Sequence, residues 1–176
     1  MKLLRMSLYW LPMLIIAGTI FWFSSQPYQH QDVRPLLGEY VSKEWIVQKF
    51  SWVEFTYAGR EISVRNLTPM TFVEFFIRKG AHVGVFFILG FFTCRAMYFT
   101  FSRKKIVPSL VTTALFIILY ATMDEIHQHF TGDRTPLIND VMLDSVGGML
   151  GITAFSLYRL IKRSNSLQIE KSLYRK

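Results

Sequence analysis

The stretch VPSLVTTALFIILYATM at residues 107–123, followed directly by DEIHQH at residues 124–129, decides the fold of this chain. The first part carries no Asp, Glu, Lys or Arg, and with the residues after it the run is long enough to cross a bilayer as a helix. The second part places two carboxylates and two imidazoles at the mouth of that helix. Ionisable groups are costly to bury at such a depth, and in membrane proteins they usually mark a functional site.

The composition also indicates a membrane protein. The 176 residues are 51% hydrophobic and 16% aromatic, yet the formal net charge is +8. This combination is typical of a small membrane protein whose Lys and Arg lie at cytoplasmic helix ends. The basic residues are scattered among apolar runs with no soluble domain to display them, so no nucleic-acid partner is expected. The single Cys94 allows neither an internal disulfide nor a paired-cysteine zinc site.

Four apolar runs predict an all-α membrane protein, a bundle of four transmembrane helices that forms a single domain over residues 1–176. The predicted helices cover about residues 7–24, 71–99, 107–128 and 138–162. The first run follows Lys2 and Arg5, as a signal peptide would, but it is slightly longer than a usual signal core and has no small-x-small cleavage site close behind it. We therefore expect the first helix to be retained.

The distribution of Lys and Arg predicts the orientation in the cell membrane. These residues are concentrated at the N-terminus, in the turn after the second helix and in the C-terminal tail, which all lie on one side of a four-helix topology. The positive-inside rule makes that side cytoplasmic, so both termini are expected in the cytoplasm. Residues 25–70 then form an extracytoplasmic insert between the first two helices.

The insert is predicted to contain a short helix and a β-hairpin. The helix is expected within residues 36–50, with three side chains directed inward: Leu36, Tyr40 and Val47. Apolar and polar residues alternate over residues 52–64, and Ala58-Gly59-Arg60 supplies a turn, which is the pattern of a hairpin. Its aromatic side chains are expected over the helix mouths or among the lipid headgroups.

All the unusual polar residues fall in the outer halves of the predicted helices. Arg78 and His82 are four residues apart and therefore share a helix face, as do Asp124 and Gln128. We therefore predict one polar site that opens to the extracytoplasmic side. Its candidate catalytic residues are His82, Asp124, Glu125 and Asp144. Its candidate ligand-binding residues are Ser25, Gln26, Arg78, Lys79, His127, Gln128, Arg134 and Asp140.

A metal site is one interpretation of these residues. The oxygen and imidazole groups of Asp124, Glu125 and His127 suit Zn²⁺ or Mn²⁺. Their spacing, however, matches no established metalloprotease signature. A hydrogen-bonded network of ion pairs explains the same residues and is the preferred interpretation, so neither a metal nor a cofactor is predicted.

The charged residues also allow catalysis or anion binding. His82 could act as a general base beside a carboxylate, although a helix histidine near acids is more often only paired. Arg78, Lys79 and Arg134 could hold a phosphate, pyrophosphate or carboxylate group, or they could pair with the acids of the fourth helix. Asp144 lies one turn deeper than Asp140, and it is the stronger functional candidate.

The order of these motifs is more specific than any one of them. The motifs are Phe23-Ser24-Ser25-Gln26, Arg78-Lys79-Gly80-Ala81-His82, Asp124-Glu125-Ile126-His127-Gln128, Arg134, Asp140-Val141-Met142-Leu143-Asp144 and the glycines of residues 147–151. This ordered set resembles the VanZ-like family of bacterial membrane proteins, which is named for a member associated with low-level teicoplanin resistance. The chain departs from the family pattern at Asp144, where Asn is frequent, and at residues 130–134, where many relatives have Pro-Gly-Arg.

The resemblance implies a role in the cell envelope and, through the family name, in glycopeptide resistance. One hypothesis is a protein that binds a lipid-linked or glycopeptide-like ligand at the outer leaflet, or alters access to it. The alternative is a membrane-embedded hydrolase or transferase that acts on an anionic lipid-linked envelope substrate, using His82 with Asp124, Glu125 or Asp144. A transporter is a weaker third option. The lipid bilayer is the one partner that the sequence itself requires, and the oligomeric state stays open.

Overall fold

The computed structural model describes residues 2–101, 106–132 and 136–173. In chain order the elements are α1 (Lys2–Ser24), a 3-10 turn (Tyr28–Gln31), α2 (Arg34–Tyr40), α3 (Lys43–Phe50), β1 (Glu54–Tyr57), β2 (Arg60–Ser63), α4 (Pro69–Phe101), α5 (Ile106–Gly132) and α6 (Ile138–Leu173). The four helices α1, α4, α5 and α6 each contain a segment that is long and apolar enough to cross a membrane. The predicted four-helix membrane bundle with a small insert is confirmed.

Large apolar side chains cover the outside of the bundle. On α5, for example, Leu115 and Leu119 are both more than half exposed. Such a surface would be costly in water, but it suits the hydrocarbon of a bilayer. The same environment explains why these runs are helical, because a helix satisfies its backbone hydrogen bonds internally where lipid offers no partner.

The contact between α4 and α6 is unusually close because glycines line it. A Cβ atom added to Gly90 would lie 2.2 Å from the carbonyl oxygen of Gly148. One added to Gly151 would lie 2.0 Å from the carbonyl oxygen of Phe87. The main chains of the two helices therefore touch, as small residues allow in membrane bundles.

Two apolar clusters fill the space between the long helices. Phe86, Leu89 and Ile117 are fully buried in the first cluster, which joins α1, α4 and α5. Further along α4, Cys94 and Phe155 belong to a second cluster between α4 and α6. The first cluster begins one helical turn after His82, so it separates the polar residues of the sequence motifs from the rest of the bundle.

The insert folds onto the start of α4. Its buried apolar side chains form a third cluster with the first residues of that helix: Ile46, Ile62, Val64, Met70 and Phe72. In the hairpin, Tyr57 pairs with Arg60 across a two-residue turn. The turn residues Ala58 and Gly59 both have positive φ angles, 50° and 76°, as a tight hairpin turn of the type I′ class requires.

The prediction for the helical part of the insert was wrong in detail. Two helices, α2 and α3, replace the single helix expected within residues 36–50, because the chain breaks at Val41 and Ser42 caps α3 by accepting from the Trp45 amide at 3.2 Å. The break changes which face of each helix points inward. The three side chains expected inside are exposed, namely Leu36, Tyr40 and Val47. Ile46 is the residue of α3 that is buried.

Candidate functional site

The C-terminal ends of α1 and α5 and the N-terminal ends of α4 and α6 meet at one end of the bundle. Side chains from all four helices contact each other there, whereas the middle of the bundle is apolar. We call this region the polar end and define it by its interacting side chains: Ser24, Lys79, His82, Asp124, Gln128, Asp140 and Asp144. The insert covers part of it, since Tyr57 of β1 reaches into the same group.

The deepest contact of the polar end joins α4 to α6. His82 Nδ1 lies 3.2 Å from Asp144 Oδ2. Asp144 is only 2% exposed, whereas the His82 side chain is 30% exposed. The other carboxylate oxygen of Asp144, Oδ1, is buried and has no hydrogen-bond partner among the described residues. This oxygen is a strong acceptor in an apolar setting, where a missing partner costs free energy.

Asp124 brings α5 to the same place. Ser24 Oγ donates to Asp124 Oδ1 at 2.6 Å, and Gln128 Nε2 donates to Asp124 Oδ2 at 2.8 Å. Both donors are neutral, and no ion pair to Asp124 is found in the described part of the chain. Asp124 is nevertheless only 5% exposed, and the hydrogen bonds from Ser24 and Gln128 compensate for the burial of its two oxygens.

His82, Asp124 and Asp144 form one compact group. Each offers a nitrogen or oxygen atom, and these atoms all lie within 4.8 Å of one another. One imidazole and two carboxylates from three different helices can share a proton or bind a cation. We call this group the buried triad.

A second layer of charged groups lies nearer the insert. Lys79 Nζ lies 2.6 Å from both carboxylate oxygens of Asp140, and the Tyr57 hydroxyl donates to Asp140 Oδ1. The Lys79 ammonium also lies 5.1 Å from the centre of the Tyr57 ring. Burial first, and then the contact with Asp140, raises the pKa of Tyr57 well above its usual value. The hairpin is therefore fastened to both α4 and α6.

Glu125 has a local role in the chain path. Its Oε1 accepts from the Leu137 amide at 2.8 Å, just before α6 begins at Ile138. A carboxylate that accepts from an amide near a helix start offsets the unpaired N–H groups there. Glu125 is buried but does not belong to the buried triad.

The remaining candidate residues lie around these two layers. Ser25 Oγ donates to the Phe21 carbonyl oxygen of its own helix, and the Gln26 carbonyl oxygen accepts from Gln31. The His127 ring stacks on Phe21, with ring centres 4.4 Å apart. Arg78 lies on the side of the insert, where its charge helps to lower the pKa of Asp32. Arg134 lies outside the described residues.

Another charged group, absent from the sequence-based site, anchors the insert. Arg34 Nη2 lies 2.7 Å from Asp32 Oδ2, and Arg34 Nε lies 3.5 Å from Glu74 Oε2 of α4. The hydrogen bonds from Arg34 lower the pKa of Asp32 to about 2. Glu74 is fully buried. Its position as an acid in the first turns of an apolar helix was a clue in the sequence that it belongs to such a charged group.

The predicted list of site residues contained Ser25 but neither Ser24 nor Tyr57, although Ser24 belongs to a quoted motif and the aromatic side chains of the hairpin were expected over the helix mouths or among the headgroups. Ser24 and Ser25 are adjacent, and residues one apart on a helix cannot share a face. The sequence offers no means of choosing between them, and the structure turns Ser24 toward Asp124. The alternation of apolar and polar residues in β1 could have indicated Tyr57, because this residue lies on the same side of the strand as Phe55.

Comparison with known proteins identifies the family. The family model described as VanZ/LLP1 matches residues 9–161, which include the four membrane-spanning segments almost entirely. No curated protein and no solved structure matches the chain. The chain belongs to the VanZ/LLP1 family.

Proposed function

We propose that this VanZ/LLP1 family member is an envelope protein that binds a lipid-linked or glycopeptide-like ligand at the outer leaflet, or alters access to it. The observation that carries the proposal is the polar end, where charged groups from separate membrane helices meet. Burying these groups in an apolar bundle costs free energy, and membrane proteins usually retain such groups for function.

The accessibility of the polar end favours a ligand with an anionic group. The side chains of Lys79 and His82 are 25% and 30% exposed, whereas the carboxylates of Asp124 and Asp144 are covered. A ligand arriving from the membrane surface therefore meets His82 and the ion pair of Lys79 with Asp140 before it meets the two covered carboxylates. Phosphate and carboxylate groups of lipid-linked precursors have the chemistry to bind there.

The orientation of the polar end is part of the proposal. Basic residues such as Arg34 and Lys43 occur in the insert as well, but the sequence concentrates Lys and Arg at the termini and in the turn after α4, which belong to the opposite end of the bundle together with Arg95, Arg159, Lys162 and Arg163. The positive-inside rule places that end in the cytoplasm and the polar end outside. In a Cys94→Ala background, a membrane-impermeant maleimide should label Gln29→Cys in intact cells but not Ser164→Cys. Labelling of only Ser164→Cys would reverse the orientation and refute an outer-leaflet site.

Teicoplanin tolerance tests the function itself. Expression of the protein in a sensitive host should raise the teicoplanin concentration needed to stop growth, and His82→Ala and Asp124→Ala should return it to the empty-vector value. His30→Ala and Glu39→Gln are matched controls on the exposed insert and should retain full tolerance. The amount of each variant in the membrane is measured by immunoblot. Full tolerance in both polar-end variants would refute the proposal.

A membrane-embedded enzyme is the second candidate function. It is favoured by the contact of His82 with Asp144, because a histidine oriented by a buried carboxylate can accept a proton from a nucleophile. In this case His82 would act as the base, Asp144 would orient it, and Asp124 would stabilise charge nearby. A hydrolase or transferase of an anionic lipid-linked substrate should change the envelope lipid profile on expression, and His82→Ala should abolish that change. If expression leaves the envelope lipid profile unchanged while teicoplanin tolerance is intact, the enzyme function is refuted and the binding function remains.

A further inference from the structure

We propose that the buried triad of His82, Asp124 and Asp144 binds one divalent transition-metal ion, Zn²⁺ or Mn²⁺. The donor atoms lie within 4.8 Å of one another. Zn²⁺ bonds to nitrogen and oxygen are about 2.0–2.2 Å long, so two ligand atoms of a tetrahedral site are separated by about 3.3–3.6 Å. The donor atoms would therefore have to approach one another by at most about 1.5 Å to surround an ion, a distance that side-chain movements can cover.

The donor set favours these metals over others. One imidazole nitrogen and two carboxylate oxygens form the mixed set that Zn²⁺ and Mn²⁺ accept, whereas soft ions such as Cu⁺ prefer sulfur. Three protein ligands also leave a coordination position open, as in metal sites that bind water or a substrate. A ligand at the polar end could therefore reach the ion directly.

The balance of charge is the second argument. Two carboxylates are covered in the triad, and a single imidazole is the basic group beside them. Lys79 does not neutralise them, because both oxygens of Asp140 already lie 2.6 Å from its ammonium. A dication would offset both negative charges at once, leaving His82 neutral, as a metal-bound imidazole is.

The hydrogen-bond pattern points to the same conclusion. Asp144 Oδ1 is buried without a hydrogen-bond partner among the described residues, although its companion oxygen contacts His82. A metal bond would satisfy this oxygen. Ser24 and Gln128 each donate a hydrogen bond to one oxygen of Asp124. In metal sites, residues that do not bind the ion themselves orient the metal-binding carboxylates by hydrogen bonds of this kind.

The metal inference deepens the site of the proposed function and takes the polar end as functional, but its test needs no envelope ligand. The full chain is purified in detergent with an affinity tag that contains no histidine. It is incubated with Zn²⁺ or Mn²⁺, desalted and analysed by mass spectrometry for metal content. We expect about one ion per chain in the wild type and less than about a tenth of an ion in His82→Ala and Asp144→Asn. His30→Ala and Glu39→Gln should retain the wild-type content.

Two further measurements guard against misfolded variants. Asp144→Glu keeps the oxygen donors and should recover part of the metal content that Asp144→Asn loses. In the wild type alone, added Zn²⁺ or Mn²⁺ should raise Tm and a chelator should reverse the rise, because an ion that binds only the folded state stabilises it. Less than about a tenth of an ion in the wild type with either metal would overturn the proposal. Equal content in all variants would overturn it too. Loss of tolerance in variants of a metal-free protein would leave the proposed function standing.

Discussion

The two ends of the bundle bury polar groups in different ways. At the polar end, the carboxylates of Asp124 and Asp144 contact side chains of other helices, Ser24 and His82, and Gln128 of the same helix adds a hydrogen bond to Asp124. In the opposite half, Thr113 Oγ1 donates to the Ser109 carbonyl oxygen of its own helix at 2.7 Å. A buried hydroxyl can thus be satisfied within one helix, whereas a carboxylate only accepts and finds no free N–H in a helix interior. The polar end therefore helps to fix how all four helices are rotated relative to one another, whereas interhelical hydrogen bonds in the opposite half, from Trp10 to Thr100 and from Arg159 to Tyr98, each join only two helices.

The largest expected difference between the two ends concerns function. Asp144→Ala should abolish teicoplanin tolerance, because it removes the partner of His82 on α6 and one member of the buried triad. Thr113→Val, which removes a buried polar group in the opposite half, should leave tolerance at the wild-type value. Growth at graded teicoplanin concentrations, with membrane levels matched, measures both. Equal losses in the two variants would mean that the polar end has no special role.

The boundary between the two halves should be the most sensitive place for stability. Gly90→Ala would place a Cβ 2.2 Å from the Gly148 carbonyl oxygen, and backbone offers little room to yield. Overpacking of this kind costs about 1–3 kcal/mol, so Tm in detergent should fall clearly. Gly84→Ala on the same helix is the matched control, because nothing lies within 4 Å of its added Cβ. A smaller fall for Gly90→Ala than for the control would contradict the close contact of α4 and α6.

The link between the hairpin and the polar end should contribute less. Tyr57→Phe removes the donor to Asp140 but leaves the Lys79 ion pair in place. The loss of one such hydrogen bond is expected to cost about 0.5–1.5 kcal/mol. Limited proteolysis should therefore cleave the insert faster in Tyr57→Phe than in the wild type. Tyr40→Phe changes an exposed residue, and its insert should be cleaved at the wild-type rate. Equal rates for the two variants would show that the hairpin is held by its apolar cluster alone.

The smallest effect concerns the titration of the same tyrosine. The pKa of Tyr57 is raised above the usual 10.0, so its neutral form stabilises the fold below pH 10 and this contribution is lost as the pH rises through the folded-state pKa. At pH 11 Tyr57 should still be protonated. Wild type and Tyr57→Phe should therefore show the same phenolate absorbance at 295 nm. A larger signal in the wild type would mean that Tyr57 ionises normally.

The sequence predicted the bundle well because the bilayer allows few alternatives. A run such as residues 107–123 has to be a helix if it crosses hydrocarbon, and alternating helix directions bring Ser24, His82 and Asp124 to the same end. The hairpin could be predicted equally well from the sequence, because Gly59 marks a tight turn between two strands in which apolar and polar residues alternate. These predictions depend on length, hydropathy and turn chemistry, which are local properties.

The pairing of side chains could not be predicted in the same way. It depends on the rotation and depth of each helix, which decide that Lys79 rather than Arg78 meets Asp140. The insert shows the same limit, because the apolar faces of α2 and α3 gave no sign of whether they meet protein or the membrane surface. For this reason Leu36 was predicted to point inward, although it is exposed.

The glycine contact between α4 and α6 has a consequence for selectivity. Because main-chain atoms of these helices touch near Gly90 and Gly151, the spacing of His82 and Asp144 is set by backbone and resists change. Asp124 arrives instead on α5, which packs against its neighbours through side chains such as Ile117. If the buried triad binds an ion as proposed, adjustment to a larger or smaller ionic radius would therefore come from a shift of α5, and substitutions along its inner surface would tune which ion is preferred.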